Sequence, residues 1–105
     1  MAEFQLTNDR LIVRGILDSD GELQLRKGLQ QLLASGAAAV TVDLSKVESI
    51  NSICVGSLVA AWIDFRSAGK RAALVASPAV RKVLDLTGLS NVFGGTAGPA
   101  RSGPG

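Results

Sequence analysis

The chain has 105 residues and reads as one domain, long enough for a modest core that needs no disulfide or metal staple. Apolar residues make up 47% and charged residues 19%, an ordinary soluble composition, but aromatics are only 4%, so the core must be aliphatic. A net charge of +2 from scattered basic residues argues against nucleic-acid binding; the lack of histidine removes Ser-His-Asp and Cys-His catalysis, and the single cysteine, Cys54, excludes an internal disulfide and a cysteine-based zinc site.

Taken in order, Phe4 to Thr7 alternates briefly and predicts an edge strand; Asn8-Asp9 is a turn signal, and Arg10 to Leu17 predicts a second strand pairing as a hairpin. Nothing at this end has the basic-then-apolar pattern of a signal peptide. Ser19 to Glu22 has the spacing of a capping box, and Leu25, Leu29, Leu32 and Leu33 follow on one helical face, predicting a helix over 20–35. Ala37 to Leu44 is apolar almost without alternation, the pattern of a strand covered on both faces. A polar turn is predicted from Lys46 to Ser52, with Ser45 and Ser49 as loop hydroxyls and Asp43 and Glu48 as solvated loop charges.

A second helix, 52–67, places Val55, Leu58, Val59, Trp62 and Ile63 toward the core and leaves Ser57, Ala60, Ala61 and Asp64 on a small, weakly polar far side. Arg71 to Ala76 predicts another buried strand. Ser77-Pro78 supplies an N-cap and a first-turn proline for a third helix over 78–87, with Val80, Val83 and Leu84 inward. Gly88 sits where a left-handed helix ending belongs, with Leu89 folding back on Leu84. Val92-Phe93 reads as a last short strand. From Gly94 to Gly105 the chain is glycine- and proline-rich and predicts a disordered tail, leaving residues 1–93 as the domain. No apolar stretch reaches the roughly 18 residues of a membrane span, so a soluble, cytoplasmic protein without membrane insertion is expected. The order β-β-α-β-α-β-α-(β) implies an α/β fold with a mixed sheet of four or five strands and three main helices.

Four segments carry a family resemblance: Gly15-Ile16-Leu17-Asp18, Val42-Asp43-Leu44-Ser45 with Val47, Asn51 to Gly56, and Ser77-Pro78-Ala79-Val80 through Leu86-Thr87-Gly88-Leu89. In register, they resemble the STAS domain, the fold of bacterial anti-sigma factor antagonists, over residues 4 to 93. The resemblance implies a non-enzymatic regulatory domain without a cofactor. It would dock an anti-sigma factor or GHKL-type serine kinase through the 46–57 loop and the second helix. Ser49, Asn51, Ser52, Ile53, Gly56, Ser57 and Ala60 are the implied contacts, and Ser52 the implied phosphoacceptor. The chain departs from the family pattern in that loop, with Asn51 for its acidic residue, Ile53 for a hydroxyl residue and Cys54 for a glycine.

Read without the resemblance, Ser52 is a helix N-cap and Asn51 an equally good one. Cys54 is a small buried hydrophobe and Trp62 a core residue at helical spacing. The alternative to a phosphorylation switch is a constitutive adaptor subunit, in a lipid-transport complex or a stress-sensing scaffold, that has lost the switch. Asn51, Ile53 and Cys54 favour that alternative. An enzyme is the least supported reading, for want of histidine, a glycine-rich phosphate loop or a paired-acid cleft.

Overall fold

A computed structural model describes residues 2–93. The elements follow the expected order: β1 Ala2–Leu6, β2 Arg10–Leu17, α1 Ser19–Ala34, β3 Ala39–Ile50, α2 Ser52–Ser67, β4 Arg71–Ala76 and α3 Pro78–Leu86. The strands form one mixed sheet in the order β1-β2-β3-β4, with β1 antiparallel to β2 and the other pairs parallel. The tail expected from Gly94 onward lies outside the described residues.

Right-handed crossovers put α1 and α2 on the same side of the sheet, where they pack against each other. The core lies on that side. Leu11, Val13 and Leu17 of β2, Val40, Val42 and Leu44 of β3, and Leu74 of β4 meet Leu25, Leu29 and Leu32 of α1 and Leu58 and Phe65 of α2 there. The alternate residues Ile12, Arg14, Thr41, Asp43, Ala73 and Val75 stay half-buried or exposed. The expectation of a strand covered on both faces is therefore corrected. Alanines ahead of β3 and the β-branched Thr41 hide its alternation in the sequence, and β3 begins at Ala39 rather than Ala37.

Several local expectations change with the geometry. Helix α1 starts one residue early, so Asp18 rather than Ser19 is its N-cap, accepting the Asp20 N–H at 3.1 Å. Glu22 is thereby released from any capping box. On α2 the buried set is Cys54, Val55, Leu58, Ala61, Trp62 and Phe65, while Val59 is only half-buried and Ile63 is exposed. The helix is apolar nearly all round, so periodicity alone could not fix which edge turns inward. Val92 and Phe93 belong to a 3-10 turn, Ser90–Phe93, not a strand, and buried Phe93 stands edge-on to Trp62 at 4.9 Å.

The third helix follows its signals. The Ser77 hydroxyl accepts the Val80 N–H at 3.1 Å, and Gly88 takes φ +73° so that the Leu89 N–H reaches the Leu84 carbonyl at 2.9 Å. Lys70, unremarked in the sequence, ties the sheet to the end of α1 by donating to the Ser35 carbonyl at 2.7 Å and to the Ala37 carbonyl.

Candidate partner-docking site

The predicted turn from Lys46 to Ser52 is mostly strand. Along the β2–β3 ladder Ile12 faces Asp43 but Arg14 faces Lys46, and Gly15 faces Val47 but Ile16 faces Ser49. Each shift is a bulge that adds one residue to β3. Asp43 fixes the first: its Oδ1 accepts the Ser45 N–H at 3.0 Å and the Ser45 hydroxyl at 2.7 Å, and its Oδ2 accepts from Arg10 at 3.4 Å. Burial pushes the Asp43 carboxyl up, but the two Ser45 bonds, with Arg10 and Lys46 nearby, outweigh it and hold the group below its ordinary value. Asp43 and Ser45 are thus paired strand residues rather than free loop groups. Gly15 serves the second shift with a φ of +93° that a side chain would resist.

The bulges re-phase the strand, so Val47 and Ile50 reach the core while Glu48 and Ser49 stay exposed. The chain then enters α2 at Asn51. The Asn51 N–H donates to the Leu17 carbonyl at 3.0 Å, and its Oδ1 accepts the Cys54 N–H at 2.9 Å. Asn51 is the cap, so the reading of Ser52 as the cap gives way. Ser52 is the first residue of the helix and is exposed. Behind it, Cys54 is fully buried, and its thiol is pushed up to about 11 by burial and then by the carboxylates of Glu22 and Asp18. A thiol held protonated there is packing, not a reactive group.

Ile53, Gly56, Ser57 and Ala60 together line one wall of a groove of about 340 Å³ between α2 and α1. Ser49, Asn51 and Ser52 are not among its lining residues and lie on the bulged strand and the helix start. The opposite wall comes from Glu22, Arg26 and Leu29. The Ser57 hydroxyl donates to Glu22 Oε2 at 2.7 Å, and Arg26 Nε holds the same carboxylate at 2.9 Å. Sequence reasoning missed this wall. The Glu22–Arg26 spacing of four, a favourable helix pair, was the available signal. Glu22, Arg26 and Ser57 are engaged with one another, while Gln30 and Asp64 also line the groove, beside apolar Ala61 and Phe65. That suits recognition of a protein surface.

The family model described as Mlab, STAS domain matches residues 1–94. The chain belongs to the STAS-domain family. Solved structures with the same architecture include an anti-sigma factor antagonist of Mycobacterium paratuberculosis, 25% identical with a TM-score of 0.72, over 90% of this chain and 82% of that one. A candidate anti-sigma factor antagonist of Thermotoga maritima is 27% identical with a TM-score of 0.70, over 87% and 81%. The anti-sigma factor antagonist SpoIIAA in its unphosphorylated form shares the fold at 22% identity and a TM-score of 0.65, over 85% and 82%.

Most STAS motif residues in this chain do structural work. Asp18 caps α1, Asp43 and Ser45 build a bulge, Ser77 caps α3, and Gly88 ends it. In the Asn51 to Gly56 segment, Ser52, Ile53 and Gly56 are exposed and have no such task. Among the described residues no helix is long and apolar enough to cross a membrane.

Proposed function

We propose that this STAS domain is a non-enzymatic regulatory interaction module that docks an anti-sigma factor or a GHKL-type serine kinase. Contact runs through the 46–57 segment and α2, and phosphorylation of Ser52 releases the partner. One observation carries this reading: an exposed serine at the first position of α2, relieved of capping by Asn51. A phosphate there adds a charge of about −1.5 to −2 beside unpaired helix N–H groups that favour it, so the fold survives. The same charge enclosed under a docked protein without a cation opposite carries a desolvation cost of several kcal/mol. Folding and binding therefore respond oppositely to one modification.

A second reading has support of its own. Ile53 is 57% exposed at the head of the groove, and buried Cys54 fills a position where the family pattern has glycine. A greasier, fuller helix start suits a permanent interface, as in a constitutive adaptor subunit.

Incubation with a GHKL-type serine kinase and ATP separates the two. The switch predicts one phosphate, located at Ser52 by mass spectrometry and absent in Ser52→Ala, and loss of the kinase or anti-sigma partner from the modified chain. A chain that takes no phosphate, or that binds equally well with it, is the adaptor.

A further inference from the structure

A second cavity, of about 300 Å³, opens between the end of α2, the start of β4 and the 3-10 turn. It shares only Phe65 with the docking groove and lies at the opposite end of α2 from Ser52. Phe65, Ala72 and Val92 give it an apolar lining, and its charged residues, Arg66 and Lys70, are both cations. Arg66 is exposed and has no ion pair among the described residues. Lys70 commits two of its three ammonium protons to the Ser35 and Ala37 carbonyls, which fixes its charge beside the cavity. Trp62 also lines the cavity. It is only 5% accessible, and its ring is held edge-on to Phe65 at 5.4 Å and to Phe93 at 4.9 Å. The indole N–H has no hydrogen-bond partner among the described residues. None of their buried side-chain N or O atoms is left unpartnered, so the small accessible part of the ring includes that N–H.

A cation in the last turn of a helix is ordinary, since it complements the helix's negative end. An almost buried tryptophan whose N–H stays free beside that cation is not, because a buried indole generally finds an acceptor. We propose that this cavity binds a small organic oxyanion, a carboxylate or phosphate carried on a flat apolar body. The head accepts from the Trp62 N–H and the Arg66 guanidinium, with the Lys70 charge nearby, and the body covers Ala72 and Val92. The lining sets this class. The Trp62, Arg66 and Lys70 side chains donate and cannot accept, so the ligand must bring the acceptors, and an ionised acceptor makes the stronger bonds. No carboxylate lines the cavity to repel it. The volume is at the low end for small-molecule pockets, which limits the body to about one ring. The site does not depend on which protein docks between α1 and α2 or on whether a kinase exists.

Trp62 is the only tryptophan of the chain, so its fluorescence reads this cavity directly. The full chain is titrated with phenyl phosphate and with benzoate, and in parallel with inorganic phosphate, which has no apolar body, and benzyl alcohol, which has no charge. At least one of the two aromatic anions is expected to change the fluorescence saturably, with a Kd on the order of 1 mM, and the tighter of them tells phosphate from carboxylate. Inorganic phosphate and benzyl alcohol should each bind about tenfold more weakly or not at all. Arg66→Gln should weaken the aromatic anion by about tenfold, while Arg14→Gln, an exposed cation on β2, leaves it unchanged. Amide NMR follows Trp62→Phe, which keeps a ring but loses the N–H and should bind about threefold more weakly; the same spectra check that each variant keeps the fold. No saturable change with either aromatic anion overturns the proposal. Equal binding of inorganic phosphate or benzyl alcohol, equal losses in Arg66→Gln and Arg14→Gln, or an unaffected Arg66→Gln or Trp62→Phe overturns it as well.

Discussion

Two strand-to-helix joints in this molecule share one plan and differ in the residue that caps the helix and the residue that follows it. At β3–α2 the Asn51 N–H extends the ladder to the Leu17 carbonyl at 3.0 Å while its side chain caps the Cys54 N–H. At β4–α3 the Ser77 N–H extends it to the Leu44 carbonyl at 3.2 Å while its hydroxyl caps the Val80 N–H. The following residue is Pro78 in one joint and Ser52 in the other. Serine appears at both, yet Ser77 is the cap and only 4% exposed, whereas Ser52 lies one position on and in the open. A hydroxyl at a helix start is thus structural or available according to which side of the cap it occupies.

The contrast can be broken by substitution. Ser77→Ala should cost most, about 1–2 kcal/mol in urea unfolding, because it removes a cap and strands a buried N–H. Asn51→Ala should cost about 1 kcal/mol, and Asn51→Asp, an equally good cap, should stay within about 0.5 kcal/mol of wild type. An unaffected Asn51→Ala would mean that Ser52 can take over the cap.

A subtler effect lies in the bulge that leads to the first joint. The folded-state Asp43 carboxyl titrates below its ordinary value of 3.8. Its contribution is therefore present above that pH and lost as pH falls through the lower folded value. Melting curves on the acid side should fall less steeply for Asp43→Asn than for wild type. Smallest of all, Ser52→Ala should change stability by no more than about 0.5 kcal/mol, since nothing in the fold leans on that hydroxyl.

The order of elements was legible because each boundary carries its own chemistry: Ser77-Pro78 opens a helix, Gly88-Leu89 closes one, and leucines at helical spacing fill α1. The joint at α2 was harder. Its buried residues run Val40, Val42, Leu44, Val47, Ile50, a period of two that twice becomes three. Each lengthened step is a bulge, but beside Lys46, Glu48 and Ser49 it looks like the end of a strand. Within the candidate site, Ile53, Gly56, Ser57 and Ala60 could be read as one helix face from spacing alone. The α1 wall of the groove could not, because which turn of α1 meets Ser57 is set by tertiary packing. The choice between Asn51 and Ser52 as cap was equally open, since both residues cap well and only the end of β3 decides it.

The central claim is that Ser52 accepts a negative charge without cost to the fold, and paired urea titrations of wild type and Ser52→Asp test it most directly. The account predicts equal stability or a gain of about 0.3–1 kcal/mol, from a carboxylate placed at the positive end of α2. A loss of about 1 kcal/mol or more would show that the Ser52 hydroxyl is part of the fold, and would contradict its release by Asn51.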